Sequence, residues 1–128
     1  NQWNFDAENR KKYKGEVPVP KEKNFHTDVS EVVSQIKKAG IVTFGNLDLQ
    51  NFSWPTSREQ CLDVLDYFCK NLLKHFGDYE DAMHTDEKFL FHSRLSFAMN
   101  TKILSPKEVM ETVITYYHEN ETKISISQ

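Results

Sequence analysis

Between positions 89 and 96 the chain reads Phe-Leu-Phe-His-Ser-Arg-Leu-Ser, an apolar run interrupted by hydroxyls and a guanidinium. At a helix start these groups are the chemistry of an anion site. Free backbone N–H groups, the hydroxyls of Ser93 and Ser96 and the charge of Arg94 together suit a phosphate or diphosphate. The competing account has Ser93 capping the helix and Arg94 pairing with a surface carboxylate, and on residue types alone it carries more weight. Other candidate chemistry is thinner. Histidines stand at 26, 75, 84, 92 and 118, with no H-x-x-x-H, H-E-x-x-H or Cys/His pair at ligand spacing, so no metal is expected. Glu59, Asp63 and Asp66 share a helical stretch with Arg58, Lys70 and Lys74 and read as its solvated face. G-x-S-x-G, G-x-x-x-x-G-K-[ST] and G-x-G-x-x-G are all absent, which argues against a common hydrolase, kinase or dehydrogenase. Cys61 and Cys69 lie eight residues apart in a helical pattern, about 12 Å along the axis, so free and buried thiols are expected.

These groups need a scaffold, and the composition supplies one. The 128 residues are 38% hydrophobic and 12% aromatic with only four Gly and four Pro, the make-up of about one globular domain rather than of a disordered chain. The net charge of −3 lacks the basic excess of a free-standing nucleic-acid binder. No apolar run reaches the ~18 residues of a membrane span, and Asn1–Lys12 has no apolar signal core, so a cytoplasmic protein is expected.

Residues 1–26 alternate in charge around Val17-Pro18-Val19-Pro20 and predict an extended segment, whose Trp3, Phe5, Tyr13 and Phe25 should lie along a folded surface. Val29, Val32, Val33 and Ile36 predict an amphipathic helix over 28–39 that Gly40 stops. Phe44, Leu47, Leu49, Phe52 and Trp54 suggest a packed, irregular connection. Thr56 and Glu59 form a T-x-x-E capping box for a helix over 56–76, with an apolar stripe of Cys61, Val64, Leu65, Phe68, Leu72 and Phe76 and an end at His75 and Gly77. A turn of helix over 79–83 and a short helix over 93–101 come next. Ser105-Pro106-Lys107-Glu108 then starts a helix over 105–118 that buries Val109, Met110, Val113, Ile114 and Tyr117. The predicted fold class is all-α and multihelical. The close on Ile124–Gln128 reads as the approach to a further element.

Three stretches resemble a known family: 76–83 (Phe-Gly-Asp-Tyr-Glu-Asp-Ala-Met), 91–96, and 100–109 (Asn-Thr-Lys-Ile-Leu-Ser-Pro-Lys-Glu-Val). They are similar to the entrance of the flavin domain in the photolyase and cryptochrome superfamily. Residues 3–11 and 54–60 resemble, more narrowly, its iron–sulfur bacterial branch, the deoxyribodipyrimidine photolyase-related proteins. The resemblance implies an internal piece of a longer protein, with residues 1–26 an interdomain linker and 27–128 the N-terminal part of a helical FAD-binding domain. It implies that His92, Ser93, Arg94, Leu95 and Ser96 stand at the FAD diphosphate, Ser93 and Ser96 foremost, and that Tyr79 approaches the phosphate or ribityl side. Phe97 stands where many relatives have proline, and Lys102 where many have glycine. The implied parent is a light-dependent DNA-repair lyase or a photoreceptor, bacterial and cytoplasmic. Its iron–sulfur cluster and antenna pigment would bind outside this piece, and its partners would be UV-damaged DNA and the rest of its own chain. The fragment alone is expected to be inactive and to expose apolar surface that could pair in a dimer. The alternative is a non-catalytic helical interaction domain.

Overall fold

The computed structural model describes residues 11–121 and 123–124, and the expectations for Trp3, Phe5 and residues 125–128 lie outside them. Among the described residues the fold is all-α, without strands: α1 (Ser30–Lys38), α2 (Arg58–Tyr67), a π-helical turn (Phe68–Leu72), α3 (Leu73–Tyr79), α4 (Ser96–Asn100) and α5 (Pro106–Glu119).

Residues 11–29 are extended, as their composition predicts, and run as a strap along the folded part. Tyr13 is buried against Tyr79 and Phe91, and Val17, Val19 and Phe25 pack on the core. Lys11 donates through its backbone N–H to the Asp78 carbonyl (3.0 Å) and through Nζ to the Asp78 carboxylate (2.8 Å).

Helix α1 ends as its sequence dictates. Gly40 adopts φ +67°, its N–H reaches the Lys37 carbonyl, and Ile41 N–H reaches Ile36, a Schellman closure. Its apolar face, however, joins no core: Val32 is 56% exposed and no residue of α1 is buried. Residues 41–51 are exposed throughout, Val42 and Phe44 included, so this connection is irregular but not packed. No described element lies over it, and Phe52, Ser53 and Pro55 are where the chain re-enters the folded part.

The central helix starts at Arg58. Its N-cap is Ser57, whose Oγ accepts from Gln60 N–H (3.2 Å), while Gln60 Oε1 accepts from Thr56 N–H (2.8 Å). The expected Thr56–Glu59 box is thus displaced by one residue to Ser57–Gln60, an equivalent pairing of hydroxyl and side-chain carbonyl. The π turn rotates α3 relative to α2, so Phe76, the last member of the predicted stripe, is only half-buried, and Gly77 and Tyr79 face inward instead. Gly77 therefore does not end the helix: the burial of Tyr79 offsets its helical penalty of about 1 kcal/mol, and the chain leaves α3 through a turn at Glu80 and Asp81.

Cys61 and Cys69 are free and buried, and burial pushes the Cys69 thiol up to about 11. They pack with Leu65, Phe91, Leu95, Ala98 and Leu104 in the core. Helix α4 begins at Ser96, not Ser93, because Arg94 has φ +57°, a left-handed conformation a right-handed helix cannot contain. Ser105 caps α5 by accepting from Glu108 N–H (3.1 Å), with Pro106 in the first turn as expected. Arg58 then ties α2 to this corner, donating to the Ile103 carbonyl (2.6 Å) and pairing with Glu108. Of the predicted α5 face only Val109 is buried. Val113 and Tyr117 are half-buried, whereas Met110 and Ile114 are 56% and 47% exposed, because the core reaches only the Val109 edge of this helix.

Candidate functional site

A cleft of about 530 Å³ opens between the strap at residues 19–24, the α2 side chains Val64 and Tyr67 with Leu72, and the segment 87–94. The strap brings Lys21, Glu22 and Lys23 to it; the opposite wall brings Lys88, His92, Ser93 and Arg94. That wall is shaped by two left-handed residues, Leu90 (φ +45°) and Arg94 (φ +57°), with a turn between Phe89 and His92 closed at 2.9 Å. Non-glycine residues hold such conformations only where surrounding packing fixes them, and Leu90 is buried.

Of the six residues predicted to bind a cofactor, His92, Ser93 and Arg94 line this cleft together. Ser93 Oγ accepts from Leu95 N–H (3.4 Å), a local turn rather than a helix cap, which leaves its hydroxyl hydrogen for an outside acceptor. The N–H groups of Ser93 and Arg94 meet no acceptor among the described residues. The guanidinium of Arg94 lies over the rings of Phe89 (4.3 Å) and Trp54 (4.8 Å), faces Glu22 at 3.7 Å, and is 12% exposed. Its Nε is buried without a partner among the described residues. Burial pulls its pKa down and Glu22 opposes the shift; an arginine stays charged regardless.

Tyr79, Leu95 and Ser96 do not line the cleft. Leu95 is in the core, and Ser96 is exposed at the start of α4. Tyr79 is 5% exposed, stacks on Phe91 (5.3 Å), and donates to Glu16 Oε1 (2.8 Å). Glu16 is held below the usual carboxylate range by its own backbone N–H, then by Tyr79 and Lys14 N–H. The strap's share of the cleft is not legible in the sequence; the only signal is the Lys21-Glu22-Lys23 run after two prolines, which says nothing about what it faces. Among the described residues no three His, Cys, Asp or Glu side chains converge as a metal site, and no helix is long and apolar enough to cross a membrane.

Sequence comparison finds relatives of this chain. A family profile described as deoxyribodipyrimidine photo-lyase-related protein matches residues 1–54. A (6-4) photolyase of Agrobacterium fabrum (strain C58 / ATCC 33970) is 34% identical over 119 residues, which cover 91% of this chain and 23% of that protein. Uncharacterized protein R853 of Acanthamoeba polyphaga mimivirus is 37% identical over 46 residues, 36% of each chain. The chain therefore spans well under half the length of these relatives. Its first 54 residues are thus similar to that family, and most of its length is similar to a part of a (6-4) photolyase.

Proposed function

We propose that the protein carrying this chain is a light-dependent, FAD-containing DNA-repair photolyase or a cryptochrome photoreceptor built on the same fold, and that this chain supplies part of the grip on the flavin's phosphates. The observation that carries the reading is the cleft. It gathers His92, Ser93 and Arg94 beside Lys21 and Lys88 in a chain that is 34% identical to a (6-4) photolyase over most of its length. The donor set fits a diphosphate. Lys21, Lys23, Lys88 and Arg94 outnumber the carboxylates Glu22 and Glu87, and a free hydroxyl hydrogen and two free backbone N–H groups stand at Ser93 and Arg94. Ser96, outside the cleft at the start of α4, enters this reading through the family resemblance, and Tyr79 stacks on Phe91 behind the turn.

A reduced FAD held by these residues would supply a light-excited electron donor for splitting a pyrimidine photoproduct in DNA. This chain's residues bind and orient: the cations attract the phosphates, the Ser93–Arg94 turn fixes them, and the buried Phe91–Leu95 wall keeps the turn rigid. The reaction is assigned to the full-length protein and not to this chain alone. DNA as partner, an iron–sulfur cluster, an antenna pigment and a bacterial cytoplasmic setting belong to the same reading.

The test is the visible absorption of the full-length protein beside its Ser93→Ala/Ser96→Ala variant. Flavin bands that fall by more than half in the variant are expected. A colourless, well-folded wild type would leave a helical interaction domain, for which exposed Val42 and Phe44 offer a surface.

A further inference from the structure

Arg94 stands where two remote segments meet its own wall of the cleft: Glu22 from the strap and Trp54 from the connection before α2, with Phe89 of its own segment beneath the guanidinium. Such convergence is what holds a fold's parts in place. On its α2 side the cleft-facing strap is fastened twice, by Tyr67 Oη donating to the Lys21 carbonyl and by Lys23 facing Asp63 at 3.9 Å. Across the cleft mouth, among the described residues, its polar link to segment 87–94 is the Glu22–Arg94 pair alone. The strap's ends are held independently. Lys11 and Glu16 bond to Asp78 and Tyr79 at one end, and Phe25 N–H donates to the Ser53 carbonyl (3.1 Å) at the other. Val17 and Val19 pack on the core, so the stretch placed to lift is residues 20–24, which the exposed Tyr67 and Lys23 contacts hold to α2 and the Glu22–Arg94 pair holds across the cleft.

We propose that Glu22–Arg94 is the latch of this stretch, so that residues 20–24 form a gate over the cleft and Arg94 acts as a positioning residue that closes it. At 3.7 Å the pair is a charge contact rather than a tight hydrogen bond, and Glu22 is partly exposed. A phosphate-bearing ligand in the cleft lies beneath the closed strap, so the pair controls its exit. This last step rests on the phosphate reading above; the latch itself does not.

Two measurements on the full-length protein test it: tryptic cleavage after Lys23, normalised to the same bond in a free peptide of residues 17–27, and the FAD release rate. Glu22→Gln should raise normalised cleavage about threefold and Arg94→Gln about tenfold, with the double variant no faster than Arg94→Gln, because the two residues act as one unit. FAD release should quicken in the same order. Ser93→Ala should weaken FAD binding and leave cleavage unchanged. If Arg94→Gln fails to fold, Glu22→Gln on the exposed strap decides alone. Wild-type cleavage in Glu22→Gln, or multiplicative effects in the double variant, overturns the latch. A protein that binds no FAD overturns the phosphate reading while the cleavage arm still judges the latch.

Discussion

Tyr79 and Glu16 are bonded at 2.8 Å across 63 residues of sequence, phenol donating to carboxylate, and the bond fixes one end of the strap to the end of α3. The phenol is buried between Tyr13 and Phe91, while the carboxylate belongs to an exposed residue. Deprotonating Tyr79 would place two anions in contact at the edge of the core.

That arrangement sets a pH dependence. Burial first, and the Glu16 carboxylate second, push the Tyr79 phenol up to about 12, against about 10 in an unfolded chain. Between those values the folded form holds a proton the unfolded form has lost, so stability from Tyr79 is complete below pH 10 and falls as pH rises towards 12. Thermal midpoints measured by circular dichroism from about pH 8 to about pH 11.5 should drop steeply in the wild type and less steeply in Tyr79→Phe. Equal drops would show that Tyr79 does not carry the alkaline loss.

The displaced cap of α2 gives a second expectation. Ser57 Oγ accepts the Gln60 N–H, whereas Thr56 donates its backbone N–H, which survives a side-chain change, and its exposed hydroxyl adds only long contacts to Gln60 Oε1 and Thr27 Oγ1 (3.3 Å each). Ser57→Ala should cost about 1 kcal/mol of stability, and Thr56→Ala should stay within about 0.5 kcal/mol. Urea midpoints rank the two, and the reverse order would restore the cap to Thr56.

What the sequence makes legible here is what neighbours decide. Gly40 stops α1 and Ser105-Pro106 starts α5 because each device closes within a turn or so of its own position. The π turn and the late start of α4 are invisible in it, since both come from packing: a one-residue rotation that swings Tyr79 onto Phe91, and a left-handed Arg94 held over Phe89 and Trp54. At the cleft the pattern repeats. His92, Ser93 and Arg94 are contiguous and can be named together, but Glu22 and Lys21 reach them from some 70 residues away. The exposed faces of α1 and α5 mark the opposite error, because a clean apolar period shows which face a helix could bury and not whether a partner lies over it.

Lys102 closes α4 in the position glycine usually fills. Its φ is +63°, its N–H reaches the Met99 carbonyl, and Ile103 N–H reaches Ala98. A side chain in that conformation costs about 1–2 kcal/mol, part of which glycine returns through its freer unfolded chain. Lys102→Gly should therefore stabilise the protein by about 0.5–1 kcal/mol, net of both effects. Lys102→Val, branched at Cβ, should destabilise it. A denaturant midpoint that falls in Lys102→Gly would mean the lysine side chain has a compensating contact.

The two sides of the α4–α5 corner separate core from surface most sharply. Leu104 has no exposed area and packs against the Cys61 and Leu65 stripe of α2 within one core, so removing three carbons leaves a hole that rigid helices on either side cannot close. Leu104→Ala should cost about 2–5 kcal/mol. Met110 lies on the next turn of α5 with its side chain in solvent, and Met110→Ala should change stability by less than about 0.5 kcal/mol. Chemical denaturation of both variants in the full-length protein decides the matter. A Met110→Ala loss approaching that of Leu104→Ala would mean that the α5 face is covered in the full-length protein, and the difference between the two would measure how much of it is covered.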